Sequence, residues 1–250
     1  MKKIFNYSLL LALLTLPTIH TCALPHLKPV HAICPVPGAA PLSRNSDRAV
    51  ADTSGKKLKI LFYLQNNVEI LDFAGPMEVF TDAGFDVKTV SLNPGPIITQ
   101  DVLKITTDYT IDNAPKADIV CFFGGEVGYA TLDPRLIKWI NTVQNPQYYL
   151  SVCTGAFYLG KAGLLDNLTV TTFHSAIDEL QQRVPKAKVL SKVRFVDNGR
   201  IITTAGISAG IDGALHLVSK ILGPEAAKNV AYVMEYESWK PENGLILSAH

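Results

Sequence analysis

The stretch YYLSVCTGAFYLG, residues 148–160, decides the fold. Residues 148–152 form a short, mostly apolar run of the kind that makes a strand buried on both faces. Residues 154–162 continue with helical spacing, so a buried strand turns directly into a helix with Cys153 at the junction. A turn tight enough to project that side chain needs small neighbours. Gly155 and Ala156 supply them, much as in the nucleophile elbow of hydrolases. In an open parallel sheet, ligands sit beyond the carboxyl ends of the strands, which is where Cys153 falls. Main-chain N–H groups at the helix start favour a thiolate there. A small buried apolar residue accounts for a lone cysteine equally well, and this stretch alone does not choose between the two readings.

The same strand-to-helix alternation extends outward. KILFYL (59–64) reads as a strand, and ILDFAGPMEVFTDAG (70–84) as a helix ending at Gly84. FDVKTVSL (85–92) alternates as a second strand and LKITTDYTI (103–111) is expected to be a third. DIVCFFGG (118–125) is a continuous apolar run ending in two glycines. A helix over 134–143 precedes the opening stretch, and a strand over 168–172 with a helix over 175–184 follows it. VRFVDNGRIITTAG (193–206) predicts a hairpin turning at Asn198-Gly199, and two closing helices span 208–222 and 224–237. Strands alternating with helices imply an α/β fold with a mostly parallel central sheet covered on both faces.

The 250 residues, 48% of them hydrophobic, suffice for one domain with a buried core. With 23 basic and 22 acidic side chains and no long basic run, the chain lacks the footprint of a nucleic-acid binder. A small-molecule substrate is the expected partner. Residues 1–23, MKKIFNYSLLLALLTLPTIHTCA, read as a signal peptide: two lysines, an apolar core too short to span a bilayer, and a small residue at the end. Acylation of Cys22 and an uncleaved anchor are the competing readings. The expected location is periplasmic or secreted, with no stable membrane insertion after cleavage. Residues 24–57, rich in Pro, Ser, Ala and Gly, read as a flexible linker, 58–240 as the folded domain and 241–250 as a C-terminal tail, with no appended DNA-binding domain. Cleavage would leave Cys34, Cys121 and Cys153, an odd number with neither a disulfide framework nor metal-ligand spacing.

Three further features bear on Cys153. Gly124-Gly125 ends a buried strand, and glycines there let main-chain N–H groups approach a reacting atom, although an ordinary turn has the same composition. Asp72 opens a helix, where capping is the simplest role for a carboxylate. His174 follows one strand and opens another helix, within reach of a cleft as base or orienter, or as a structural or surface residue.

The order of EILDFAGPMEVF (69–80), FFGGEVG (122–128), SVCTGAF (151–157), TVTTFHSAIDEL (169–180) and ITTAGISAGIDGALHLV (202–218) resembles the ThiJ/PfpI family of the class I glutamine amidotransferase-like superfamily, over residues 58–239. The LDFAGP and CTGA forms are most similar to isonitrile hydratases and to amidase-like sensor domains of some transcription regulators. The resemblance implies a flavodoxin-like three-layer sandwich, usually a homodimer, with Cys153 as nucleophile, Asp72 as the facing carboxylate and Thr154 beside them. It places an oxyanion site at the N–H groups of Gly125 and Thr154, gives His174 an accessory position and requires no cofactor or metal. Protease-like and many glyoxalase-like members carry His directly after the cysteine where this chain has Thr154. Deglycase-type members carry Glu where it has Asp72. The implied activity is hydration of an isonitrile to an N-substituted formamide. The rival readings are an exported redox-sensing or ligand-binding module, and a glyoxalase- or amidase-like hydrolase acting on small carbonyl compounds.

Overall fold

Alternate residues of the first strand face opposite ways, and both directions lead into apolar layers. Ile60, Phe62 and Leu64 enter one core cluster; Leu61 and Tyr63 enter the other. A strand buried on both faces needs helices on both faces. The computed structural model, which describes residues 57–128 and 132–247, has that arrangement. The signal-like segment, nearly all of the linker, and with them Cys22 and Cys34 lie outside the described residues.

In chain order the elements are β1 (Lys59–Tyr63), α1 (Ile70–Asp82), β2 (Asp86–Ser91), β3 (Ile97–Thr99), β4 (Leu103–Ile105), β5 (Tyr109–Thr110), β6 (Ile119–Phe122), α2 (Pro134–Lys138), β7 (Tyr148–Ser151), α3 (Ala156–Lys161), β8 (Thr169–Thr171), α4 (Ile177–Arg183), β9 (Lys188–Leu190), β10 (Phe195–Asp197), β11 (Ile201–Thr204), α5 (Ala209–Leu222), α6 (Pro224–Val233) and β12 (Leu245–Ile246). The central sheet has the order β12-β10-β11-β7-β6-β1-β2-β5. Six adjacent strands, β11 to β5, run parallel, while β10 is antiparallel to β11 and carries β12 alongside it. Helices α1, α5 and α6 cover one face through Phe73, Phe80, Leu215 and Val230. Helices α2, α3 and α4 cover the other through Leu136, Leu159 and Leu180. The molecule is a flavodoxin-like α/β sandwich.

Several elements depart from the sequence expectation. The strand expected over 103–111 is two: β4 pairs with β3 in a separate hairpin, and β5 joins the main sheet beside β2. They part at Asp108, whose carboxylate accepts from the Thr89 main-chain N–H and hydroxyl and so breaks the run. The strand after α3 is β8, which pairs with β9 outside the central sheet. The helix expected over 134–143 relaxes into a π turn at Trp139–Val143. Residues 241–250 are not merely a tail: Leu245 and Ile246 pair with Val196 and Asp197 at the sheet edge.

Hydrogen bonds tie β10 to α5 at a buried carboxylate. Asp197 accepts from Nε2 of His216 at 2.7 Å, from Nζ of Lys220 at 2.8 and 3.0 Å, and from the Gly199 N–H at 2.6 Å. Burial raises its pKa, but these donors outweigh burial and hold it below the usual carboxylate range. A depressed folded-state pKa means the charged form stabilises the fold above the ordinary carboxylate range, and this contribution is lost as pH falls through the folded value. Asp197→Asn is expected to lower the unfolding free energy by about 3 kcal/mol and to flatten the acid side of the stability profile, both read from urea titrations at several pH values.

Candidate functional site

Because β11, β7, β6 and β1 lie side by side and parallel, the segments leaving their carboxyl ends meet at one edge. In that order they deliver Ile207, Cys153, Gly124 and, across the loop into α1, Asp72. Asp72 is fully buried, yet it makes no capping bond at its own helix. Its Oδ2 accepts the Gly124 N–H at 2.8 Å and its Oδ1 the Ile207 N–H at 3.0 Å. The capping role that the sequence favours for Asp72 is therefore replaced by a tertiary one.

Cys153 takes φ +57° at the junction between β7 and the single 3₁₀ turn that leads into α3. A left-handed φ on a residue other than glycine is strained and persists only where the surroundings fix it. Here the Cys153 N–H donates to the Ala205 carbonyl at 3.1 Å, and the Cys153 carbonyl accepts from the Thr172 hydroxyl at 2.7 Å. Gly155 is required by close approach, because a Cβ there would lie 2.3 Å from the Phe122 carbonyl oxygen. Gly125 is required by its conformation: φ is +106°, and a Cβ would meet the Asn67 carbonyl oxygen at 2.0 Å.

The electrostatics follow from burial. Desolvation pushes the Asp72 carboxyl up to about 6, partly offset by the Gly124 N–H, the Cys153 thiol and the Ile207 N–H. Cys153, 5% exposed, is pushed up to about 12, by burial first and the neighbouring Asp72 charge second, against the lowering effect of the Thr154 and Ile207 N–H groups. The thiolate expected from a helix start is thus outweighed by desolvation and a facing carboxylate. At neutral pH the pair holds its proton on sulfur, with an ionised acid beside it.

Thr154 lies next to the pair, with its hydroxyl donating to the Gly125 carbonyl at 3.2 Å. The two residues expected to form an oxyanion site are therefore adjacent. The Gly125 N–H donates to none of the described residues. His174 is exposed, its ring lying 4.3 Å from that of Phe173, and no hydrogen bond joins it to Cys153, Asp72 or Thr154. Sequence reasoning missed Thr172, Ala205 and Ile207. Two of them act through main-chain atoms, which carry no residue signature. Cys121, in β6, is fully buried, and burial pushes its thiol well up. Among the described residues, no three His, Cys, Asp or Glu side chains converge to hold a metal ion.

Comparison with known proteins bears on the family and the fold. Residues 58–220 match the DJ-1/PfpI family. The chain is 33% identical over 187 residues to the isonitrile hydratase of Pseudomonas putida, covering 74% of this chain and 81% of that enzyme. It is 26% identical over 214 residues to the HTH-type transcriptional regulator GbdR of Pseudomonas aeruginosa, covering 82% of this chain and 55% of the regulator. A ThiJ/PfpI family protein from Pseudomonas syringae superposes with a TM-score of 0.67 at 22% identity, covering 90% of this chain and 86% of that one. The extent of the family match, joined to a cysteine elbow facing a buried carboxylate, establishes that this chain belongs to the DJ-1/PfpI family.

Proposed function

We propose that the protein hydrates a small isonitrile to an N-substituted formamide, with Cys153 as nucleophile and Asp72 as the proton carrier. The observation that carries the reading is the placement of a buried, ionisable carboxylate against the elbow thiol, in a chain one-third identical to an isonitrile hydratase. The Cys153 sulfur attacks the terminal isonitrile carbon while its proton passes to Asp72. Asp72 then returns that proton to the same carbon, giving a thioimidate. Water adds to the C=N carbon, the C–S bond breaks, the sulfur regains a proton and the formamide leaves. The sum is one water added to one isonitrile, with no change of oxidation state at sulfur. Covalent catalysis divides a difficult addition into two easier ones.

The proton arithmetic fits the site. A thiol pushed up to about 12 is not a standing thiolate, so the attack needs a base in contact with it. A carboxylate at about 6 is ionised at neutral pH and becomes a competent acid once protonated. The Thr154 N–H, directed at the sulfur, and the Gly125 N–H are the donors for the negative charge that develops on attack. The Thr154 hydroxyl, engaged with Gly125, sets the spacing of these two donors rather than acting on substrate. His174 is given no step.

A homodimer and a periplasmic or secreted location belong to the same proposal. The dimer is supported by the family resemblance and by exposed apolar side chains beside the site: Leu71 on α1, and Ile98, Val102 and Leu103 on or beside the β3–β4 hairpin. The location is supported by the signal-like first 23 residues. The similarity to GbdR supports a second reading, in which the protein binds a small molecule without turning it over.

With cyclohexyl isocyanide, wild-type protein is expected to release the formamide and Cys153→Ala to release none while keeping its circular dichroism. Formamide production by the mutant, or none by the wild type despite saturable binding, would overturn the hydratase scheme, the latter in favour of the ligand-binding reading. The kcat/KM of the wild type is expected to fall below about pH 6, because protonated Asp72 no longer accepts the thiol proton. Asp72→Asn is expected to lower kcat by about 10²- to 10⁴-fold and to abolish that acid limb in a pH–rate profile.

A further inference from the structure

Two main-chain groups that fix the reacting pair from outside the elbow, one carbonyl and one N–H, come from one segment, residues 205–207, between β11 and α5. The Ala205 carbonyl holds the Cys153 N–H, and the Ile207 N–H holds Asp72. Ile207 sits at φ +55°, a strained conformation for a β-branched side chain that persists only where neighbours enforce it. The neighbour placed to do so is Arg194, which precedes β10. Its carbonyl accepts the Ala205 N–H at 2.9 Å, and its own N–H is tied to the Asn243 carbonyl at 3.1 Å. Its guanidinium spans two groups of the same turn. Nε donates to Oδ2 of Asp212 at 2.6 Å, with Nη2 also paired to that oxygen. Nη1 and Nη2 reach the Ser208 hydroxyl at 3.3 and 3.2 Å. Asp212 is buried in the first turn of α5 and also accepts from the Tyr236 hydroxyl at 3.4 Å.

We propose that Arg194 is a positioning residue for the Cys153–Asp72 pair: its planar fork locks Asp212 and Ser208, and thereby holds the Ile207 N–H on Asp72 and the Ala205 carbonyl on Cys153. The proposal rests on the reading that the two residues act as a nucleophile–base pair. A lysine at 194 would still neutralise Asp212, but its single ammonium lacks the fork that reaches Ser208 at the same time. The released turn would let Ile207 relax, and Asp72 would lose one of its two main-chain donors. The titratable groups facing Asp72 are the Cys153 thiol and the Glu69 carboxylate, neither of which replaces that donor. Asp72 would then hold its proton to higher pH.

The test is alkylation of Cys153 by iodoacetamide as a function of pH, followed at the Cys153 peptide by mass spectrometry, in wild type, Arg194→Lys and Ser208→Ala. Thermal unfolding of the same samples reports whether each is folded. The acid limb of alkylation is expected to move upward by about half a pH unit or more in Arg194→Lys, and by less in Ser208→Ala, with both variants folded. An unmoved limb in folded Arg194→Lys overturns the proposal. Where that variant does not fold, the limb of Ser208→Ala, which leaves Asp212 paired, decides alone. Alkylation needs no isonitrile, so a shifted limb alongside absent formamide production refutes the hydratase reading and leaves the positioning role standing.

Discussion

A carboxylate with no exposed surface, held by two main-chain N–H groups from different loops, is the constraint on which this site depends. Removing an ionised carboxyl from water is expensive unless donors replace the lost hydration. Among the described residues no cation takes that role at Asp72; the Gly124 and Ile207 N–H groups do. Their bonds require the ends of β6 and β11 to converge on the first turn of α1, with β7 and its elbow between them. Six adjacent parallel strands make that convergence possible, because their carboxyl ends share one edge. The space is fully used: a Cβ on Gly124 would lie within 2.8 Å of Asp72 Oδ2 and Cys153 Cβ and 2.7 Å from Thr154 Oγ1.

The same burial sets the chemistry. Two main-chain donors and the Cys153 thiol are too few to restore the ordinary acidity of a desolvated carboxyl, so Asp72 stays a weak acid near 6. Its charge, added to desolvation, keeps the proton on the Cys153 sulfur. The proposed roles of nucleophile and proton carrier rest on this pairing of two groups whose environments set their proton affinities apart. It differs from cysteine sites that rely on a resident thiolate, which need nearby cations or a long helix start.

Helix α5 carries buried carboxylate chemistry at both ends. Arg194, Asp212 and Ser208 brace its first turn beside the site, whereas Asp197, His216 and Lys220 fasten its last turns to β10. Such pairs are dearly desolvated and add little stability over an apolar core, but each has few alternative arrangements. They suit a helix whose register has to be fixed, since a small shift of α5 would move the Ile207 N–H off Asp72.

The amino-acid sequence by itself determined the alternation of strands and helices, the elbow at Cys153 and the glycine pair after β6. These are local: a buried strand, a tight turn and a close approach each select residue types at short spacing. The order of motifs likewise identified the family and paired Asp72 with Cys153. Local reading misassigned Asp72 as a helix cap, joined β4 to β5 and missed the edge strand β12, because in each case the decisive partner is distant in the chain: Ile207 and Gly124 for Asp72, Thr89 for Asp108, Val196 for Leu245. Only the tertiary structure decided that the thiol stays protonated and that Thr172, Ala205 and Ile207 hold the pair. Proton affinity depends on burial, and main-chain N–H and carbonyl groups are the same in every residue type.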